Sequence, residues 1–355
     1  MREVFEFRIN EKFATRLSNS KVGRLLGEHV RQVTISADDP LVAEIGKVNS
    51  ELYASIRRRL FTSWQVTRKY TSTEIELAEL FRMFIGTTFE TAGEECGTQY
   101  DESCACAVCG AGAQQISDLF LDLRKLPRGK DIARTIADEW IVTRRLAEIL
   151  MAAEIRGLEF RPVRHRDEHE SDPINLRTTQ SGRQLLERAE LEGVFLEDKD
   201  SYLWICRPEN RVLFDAAQNE YVARRQAAES GPLRRIWSEW RQLCVVSSRL
   251  PVIPPTHTGV DPFDDDLEGR YRCVRGDNIG HRYLSEIYLQ RSAWDGSDVM
   301  LTREMTGPRR GLLRPNSEIL VTPRLRQIIL EHRIKSVDFE IAHFDPSPAQ
   351  RKKDA

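Results

Sequence analysis

From Val4 to Ile9 the chain alternates apolar and charged residues in EVFEFRI, a two-residue period that predicts a half-buried strand at its start. The period then lengthens. Val48, Leu52, Ile56 and Leu60 recur every four residues, and Thr71 with Glu74 makes a capping-box pattern ahead of Ile75, Leu80, Phe81 and Phe84, so two helices are expected. Residues 1–92 therefore read as an N-terminal strand followed by a helical region, its aromatic stripe serving as core. Beyond His165, RDEHESDPINLRTTQSG is polar and turn-rich and reads as a linker. RQLLERAEL predicts a helix, SYLWICR a strand, the run from Tyr221 to Trp240 a helix and LCVVSS a strand. PVIPPTHTGVDPFDDDLEG reads as an extended connector, in which Asp264, Asp265, Asp266 and Glu268 lack calcium-loop spacing and are expected as a solvated acidic loop.

Comparing the chain with itself shows a repeat. IVTRRLAEILMAAEIRGLEFRPVRH at 141–165 aligns without gaps on LVTPRLRQIILEHRIKSVDFEIAHF at 320–344, with identities such as Thr143/Thr322, Arg145/Arg324, Leu146/Leu325 and Phe160/Phe339. Both copies read as a helix followed by a strand, and Thr322 with Pro323 has the form of an N-cap and first helical position. Upstream, ISDLFL at 116–121 matches LSEIYL at 284–289, and Lys130-Asp131-Ile132 matches Ser297-Asp298-Val299. The Cys106-Ala107-Val108-Cys109-Gly110 turn stands where the second half has Cys273-Val274-Arg275-Gly276. The expected fold is α+β: two similar α+β units at 93–165 and 271–344, an α/β insertion with linker at 166–270, and a disordered tail at 345–355.

Composition narrows the function. With 40% hydrophobic and 30% charged residues and no long apolar run, a soluble chain with no membrane partner is expected, and the start MREVFEFRIN lacks the pattern of a secretory signal. Cytoplasmic placement follows as an expectation. A net charge of −2 argues against nucleic acid as a partner, and Arg57-Arg58-Arg59 reads as solvated surface. Polar HRDEHE, with His165 and His169 four apart, reads as a loop because Pro162 and Pro173 interrupt any helix. Phosphate loops, dinucleotide fingerprints and nucleophile elbows are missing from the sequence.

Four of the seven cysteines fall between Cys96 and Cys109. In a reducing compartment such a cluster is more often a metal site than a disulfide framework. Cys-x-x-Cys-Gly is the knuckle that aims two thiolates at one zinc, and a closed structural site needs four ligands. Cys106 and Cys109 supply two, Cys96 folds back as a third, and the fourth is Cys104, which is local, or Cys273, which would join the two units; His281 is a weaker candidate. Locality favours Cys104, giving zinc on Cys96, Cys104, Cys106 and Cys109. Cys206 and Cys244 read as core.

CAVCG at 106–110, CVRG at 273–276 and the C-terminal run WDGSDVMLTREMTGPRRGLLRPNSEILVTPRLRQII together resemble the double-CXXCG motif family, a bacterial group that includes immunity proteins neutralising polymorphic toxins. The second motif has lost one cysteine. The resemblance implies a non-catalytic binding protein whose partner is a cognate protein toxin. The competing expectation is a metal-dependent or nucleic-acid-processing enzyme with its cleft between the repeats and His165, His169 or Cys104 acting there.

Overall fold

The computed structural model describes residues 1–89, 92–166, 176–194, 204–230, 239–266, 269–273, 275–276, 278–280, 282–307 and 312–345. The alternation at the N-terminus forms β1 (Arg2–Asn10), which sits inside a four-stranded sheet with β2 (Arg24–Leu26), β3 (Val30–Ser36) and β4 (Phe61–Lys69) in the order β2-β3-β1-β4. Its inward residues Phe7 and Ile9 are fully buried against Val33, Phe61 and the helix Pro40–Ile56, which Asp39 caps and which contributes Ile45, Val48 and Leu52. The four-residue period thus marks a real helix, but its last member, Leu60, lies beyond the helix end. Residues 1–69 are a sheet with one long helix packed on it, not a helical region.

The capping box forms as expected, with the Thr71 side chain taking the Glu74 N–H and Glu74 returning to the Thr71 N–H. The helix it opens is short, Ser72–Leu77, because LFRMFI leaves as strand β5 (Leu80–Ile85). That run is a central strand whose Phe81, Met83 and Ile85 pack in the core, and because Leu80 and Phe84 on its other face are apolar too, the two-residue alternation that would identify it is blurred.

Further strands are β6 (Thr88–Phe89), β7 (Tyr100–Asp101), β8 (Gln114–Gln115), β9 (Leu119–Leu121), β10 (Ile132–Thr135), β11 (Trp140–Thr143), β12 (Leu158–His165), β13 (Trp240–Val245), β14 (Arg249–Leu250) and β15 (Val252–Ile253). Then come β16 (Thr258–Asp261), β17 (Asp264–Asp265), β18 (Arg282–Tyr283), β19 (Ile287–Leu289), β20 (Val299–Thr306), β21 (Asn316–Val321) and β22 (Val337–Phe344). Two mixed sheets dominate, in the orders β6-β10-β11-β13-β12-β9 and β14-β20-β21-β5-β22-β19-β15, and with the helices they make the chain α+β.

The two sheets share a plan. Strand, 3-10 turn, two antiparallel strands, helix and strand run through β9, β10, β11, the helix Arg144–Ala152 and β12, and recur through β19, β20, β21, the helix Pro323–Glu331 and β22. Registers agree as well: Ile132 pairs Val142 and Val299 pairs Val321, while the parallel pairs Val163–Leu119 and Ala342–Ile287 occupy corresponding positions. The central strand of each sheet comes from outside that plan. Strand β13, which precedes β14, lies between β11 and β12; β5, which precedes β6, lies between β21 and β22. Hence each sheet is completed by a strand attached to the other, whereas β6 and β14 pair with β10 and β20 of their own.

Side-chain bonds are reciprocal too. Arg145 binds the Asp131 carboxylate and the His332 carbonyl, and Arg324 binds the Asp298 carboxylate and the Ala153 carbonyl. Both threonines at the helix starts donate their hydroxyls to an aspartate, Thr143 to Asp131 and Thr322 to Asp298; Thr143 also accepts the Leu146 N–H, whereas the second helix has no side-chain cap. One core, drawing on both sheets and both helices, includes Phe81, Met83, Ile132, Val142, Leu146, Leu243, Val321 and Leu325.

Several expected boundaries move. The boundary at 92 cuts β5 and β6 away from the sheets they complete, and 270 does the same to β13, β14 and β15. Between them, the helices Gln180–Leu191 and Pro208–Ser230 pack around Leu185, Ala189 and Trp204. Trp204 and Ile205 are helical where a strand was expected, and the long helix begins at Pro208 rather than Tyr221. The expected connector carries β15, β16 and β17, and its Asp266 is buried, accepting from the backbone N–H groups of Arg270 and Tyr271. Phe263 from the same stretch stacks on Phe7. The expected disordered tail falls at 346–355, outside the described residues, apart from Asp345.

Candidate metal centre

The first knuckle is a tight turn closed by the Cys106 N–H on the Ala111 carbonyl (2.8 Å) and the Gly110 N–H on the Cys106 carbonyl (2.7 Å). Gly110 lies at φ +73°, a left-handed geometry that glycine adopts without the Cβ penalty. The turn aims backbone N–H groups of Cys109 and Val108 at the Cys106 sulfur and draws its thiol down to about 7. Burial pushes the Cys109 thiol up.

Cys273 enters from the second half. Its sulfur lies 3.6 Å from that of Cys106, and the sulfurs of Cys106, Cys109 and Cys273 all fall within 4.8 Å of one another. Three thiolates on a tetrahedral zinc, each about 2.3 Å from the metal, would sit about 3.8 Å apart. The observed spacing fits a metal centre. All seven cysteines are free.

Two of the four expected ligands are elsewhere. Cys96 is buried in the 3-10 turn Glu94–Cys96, where burial raises its thiol and its sulfur meets the Asp122 backbone. Cys104 is exposed, its sulfur 3.4 Å from the Gly112 carbonyl and 3.8 Å from that of Asp101. Nearness in sequence misled here, because the knuckle turns its thiols away from the segment leading into it and toward the matching turn of the other half. That turn is legible in the sequence as CVRG. Cys206 is exposed rather than core, and Cys244 is half-buried on β13. His165 is buried at the end of β12 with Nε2 3.8 Å from Asp122, while His169 and His281 lie outside the described residues.

A cleft of about 970 Å3 opens between β4 and the faces of β5, β21 and β22. Four of the arginines lining it are paired with carboxylates of the chain, while Arg282 lies over the Trp64 ring. Arg82 binds Glu318 (2.8 Å) and approaches Glu340 (3.6 Å), and the buried Arg68 bridges Glu3 (2.8 Å) and Glu340 (3.2 Å). Arg134 binds Asp138, whose carboxyl is raised by burial, and Arg314 binds Glu94 (2.9 Å) and Glu102 (2.6 Å) while lying over the Tyr100 ring. Sequence patterning missed this cleft because its walls come from segments more than two hundred residues apart. Among the described residues no helix is long and apolar enough to cross a membrane.

Comparison with protein-family models, with curated proteins and with solved structures finds no match for this chain.

Proposed function

We propose that this chain is a non-catalytic binding protein, of the immunity type its knuckles resemble, with zinc on Cys106, Cys109 and Cys273 tying its two halves together. The cleft carries the reading: Arg82, Arg68, Arg134 and Arg314 are each engaged by carboxylates of the protein itself, which makes a broad surface of mixed charge. Such a wall suits stoichiometric recognition of a protein, where complementary potentials set partner choice. Zinc is the favoured metal because thiolate ligands in a reduced compartment select it over hard cations. The thiols come from both halves, so its role is structural, and its binding energy adds to folding.

The test is binding against turnover. A toxin encoded beside this gene is expected to lose activity at a one-to-one molar ratio, with a complex isolable by size-exclusion chromatography. Turnover of a nucleotide, peptide or nucleic acid by the purified chain, abolished by a single substitution in the cleft, would overturn the reading.

A further inference from the structure

The two turns close with the same hydrogen bond. Cys106 N–H bonds the Ala111 carbonyl and Cys273 N–H bonds the Asn278 carbonyl, each at 2.8 Å and each across five positions. This alignment sets Cys273 on Cys106 and Gly276 on Cys109, with the offset that also relates Ile132 to Val299 in the matched strands. Gly276 also lies within the cluster. A Cβ built there would be 2.9 Å from the Cys109 sulfur, 3.1 Å from the Cys106 Cβ and 3.5 Å from the Ala111 Cβ.

We propose that Gly276 stands at the fourth ligand position, so that a thiophilic divalent metal on Cys106, Cys109 and Cys273 completes its shell with a small donor from solution: water, a thiolate or an imidazole. This rests on the reading of the cluster as a metal centre. Four-coordinate zinc with three protein ligands keeps an exchangeable position, and only a closed four-ligand site excludes solvent donors. Access comes from the side of Cys106 and Cys273, which are half-exposed, whereas Cys109 is buried. Cys104 is held by two carbonyls and Cys96 is packed beside Asp122, so neither sulfur lies in the cluster.

Cobalt(II) substitution of the full chain reads the coordination shell directly. Wild-type protein is expected to take up one cobalt, with visible bands that shift on titration with imidazole. Gly276→Cys is expected to bind cobalt at least about tenfold more tightly, a gain of about 1.4 kcal/mol or more, with bands that imidazole leaves unmoved. The closest contacts of the new side chain are the Cys109 sulfur and the Cys106 Cβ, so the two turns must part by a few tenths of an ångström to admit it.

Wild-type bands insensitive to imidazole would overturn the open position, and recovery of sensitivity in His281→Ala or Cys104→Ser would identify the residue filling it. This wild-type titration stands whether or not Gly276→Cys folds. If wild-type protein bound no metal at all, the metal centre itself would fall, which is a different result from bound metal with a closed shell.

Discussion

Cys104 and Cys273 differ at the residue scale in a way that sequence distance conceals. The first is two positions from the knuckle yet bonds carbonyls; the second is far along the chain and lies 3.6 Å from Cys106. Cys273→Ser is therefore expected to cut bound zinc well below one per chain, while Cys104→Ser leaves the content unchanged. Elemental analysis of protein expressed with zinc checks both. Loss of metal in Cys104→Ser alone would restore the local site that spacing favoured. The knuckle itself was legible, since its cysteine spacing and glycine encode a local turn. Its third partner depends on where another segment comes to rest, and spacing carries no such information.

At the scale of elements, the exchanged central strands are locked by a matched pair of turns. The Gly157 carbonyl accepts from Val246 N–H (3.0 Å), and the Ser336 carbonyl accepts from Gly86 N–H (2.8 Å), so one member of each pair is glycine. Gly157 lies at φ +95°, and a Cβ there would meet the Val299 carbonyl oxygen at 2.4 Å. Gly157→Ala is thus expected to cost at least about 2 kcal/mol, from left-handed backbone strain and a backbone clash. Ser336→Ala should cost less, because Ser336 already holds φ +64° and only the hydrogen bond its hydroxyl accepts from Lys130 is lost. Denaturant titration of both variants checks the contrast, and equal losses would contradict it. The repeated helix and strand were readable because period and caps are local. Strand β5 was not, because LFRMFI places apolar residues on both faces around the single charge of Arg82 and follows a genuine capping box, a pattern that helix and buried strand share.

For the whole molecule, strand exchange means that neither half owns a complete copy of either large mixed sheet, although the four-stranded sheet at 1–69 is whole. Residues 1–166 contain β9, β10, β11 and β12 but lack β13, and they expose β5 without β21 and β22. The part of this fragment beyond the complete sheet at 1–69 is expected to aggregate or remain unfolded, with poorly dispersed amide resonances from residues 80–166, since β5, β11 and β12 lose their central pairing and expose long edges. A stable, well-dispersed monomer would contradict the exchange. By itself the sequence determined what is local: the strand and helix periods, the capping box at Thr71, the turn at Cys106–Gly110 and the likeness between 141–165 and 320–344. Tertiary structure alone decided which strand completes which sheet, which thiol meets Cys106, and how Arg82 comes to face Glu318 and Glu340. Backbone preferences and side-chain periods act over a few residues, so they are written along the chain. The pairings of β5 and β13 and the contact of Cys106 with Cys273 join segments far apart along the chain, and packing of the shared core selects among pairings that local patterning leaves equivalent.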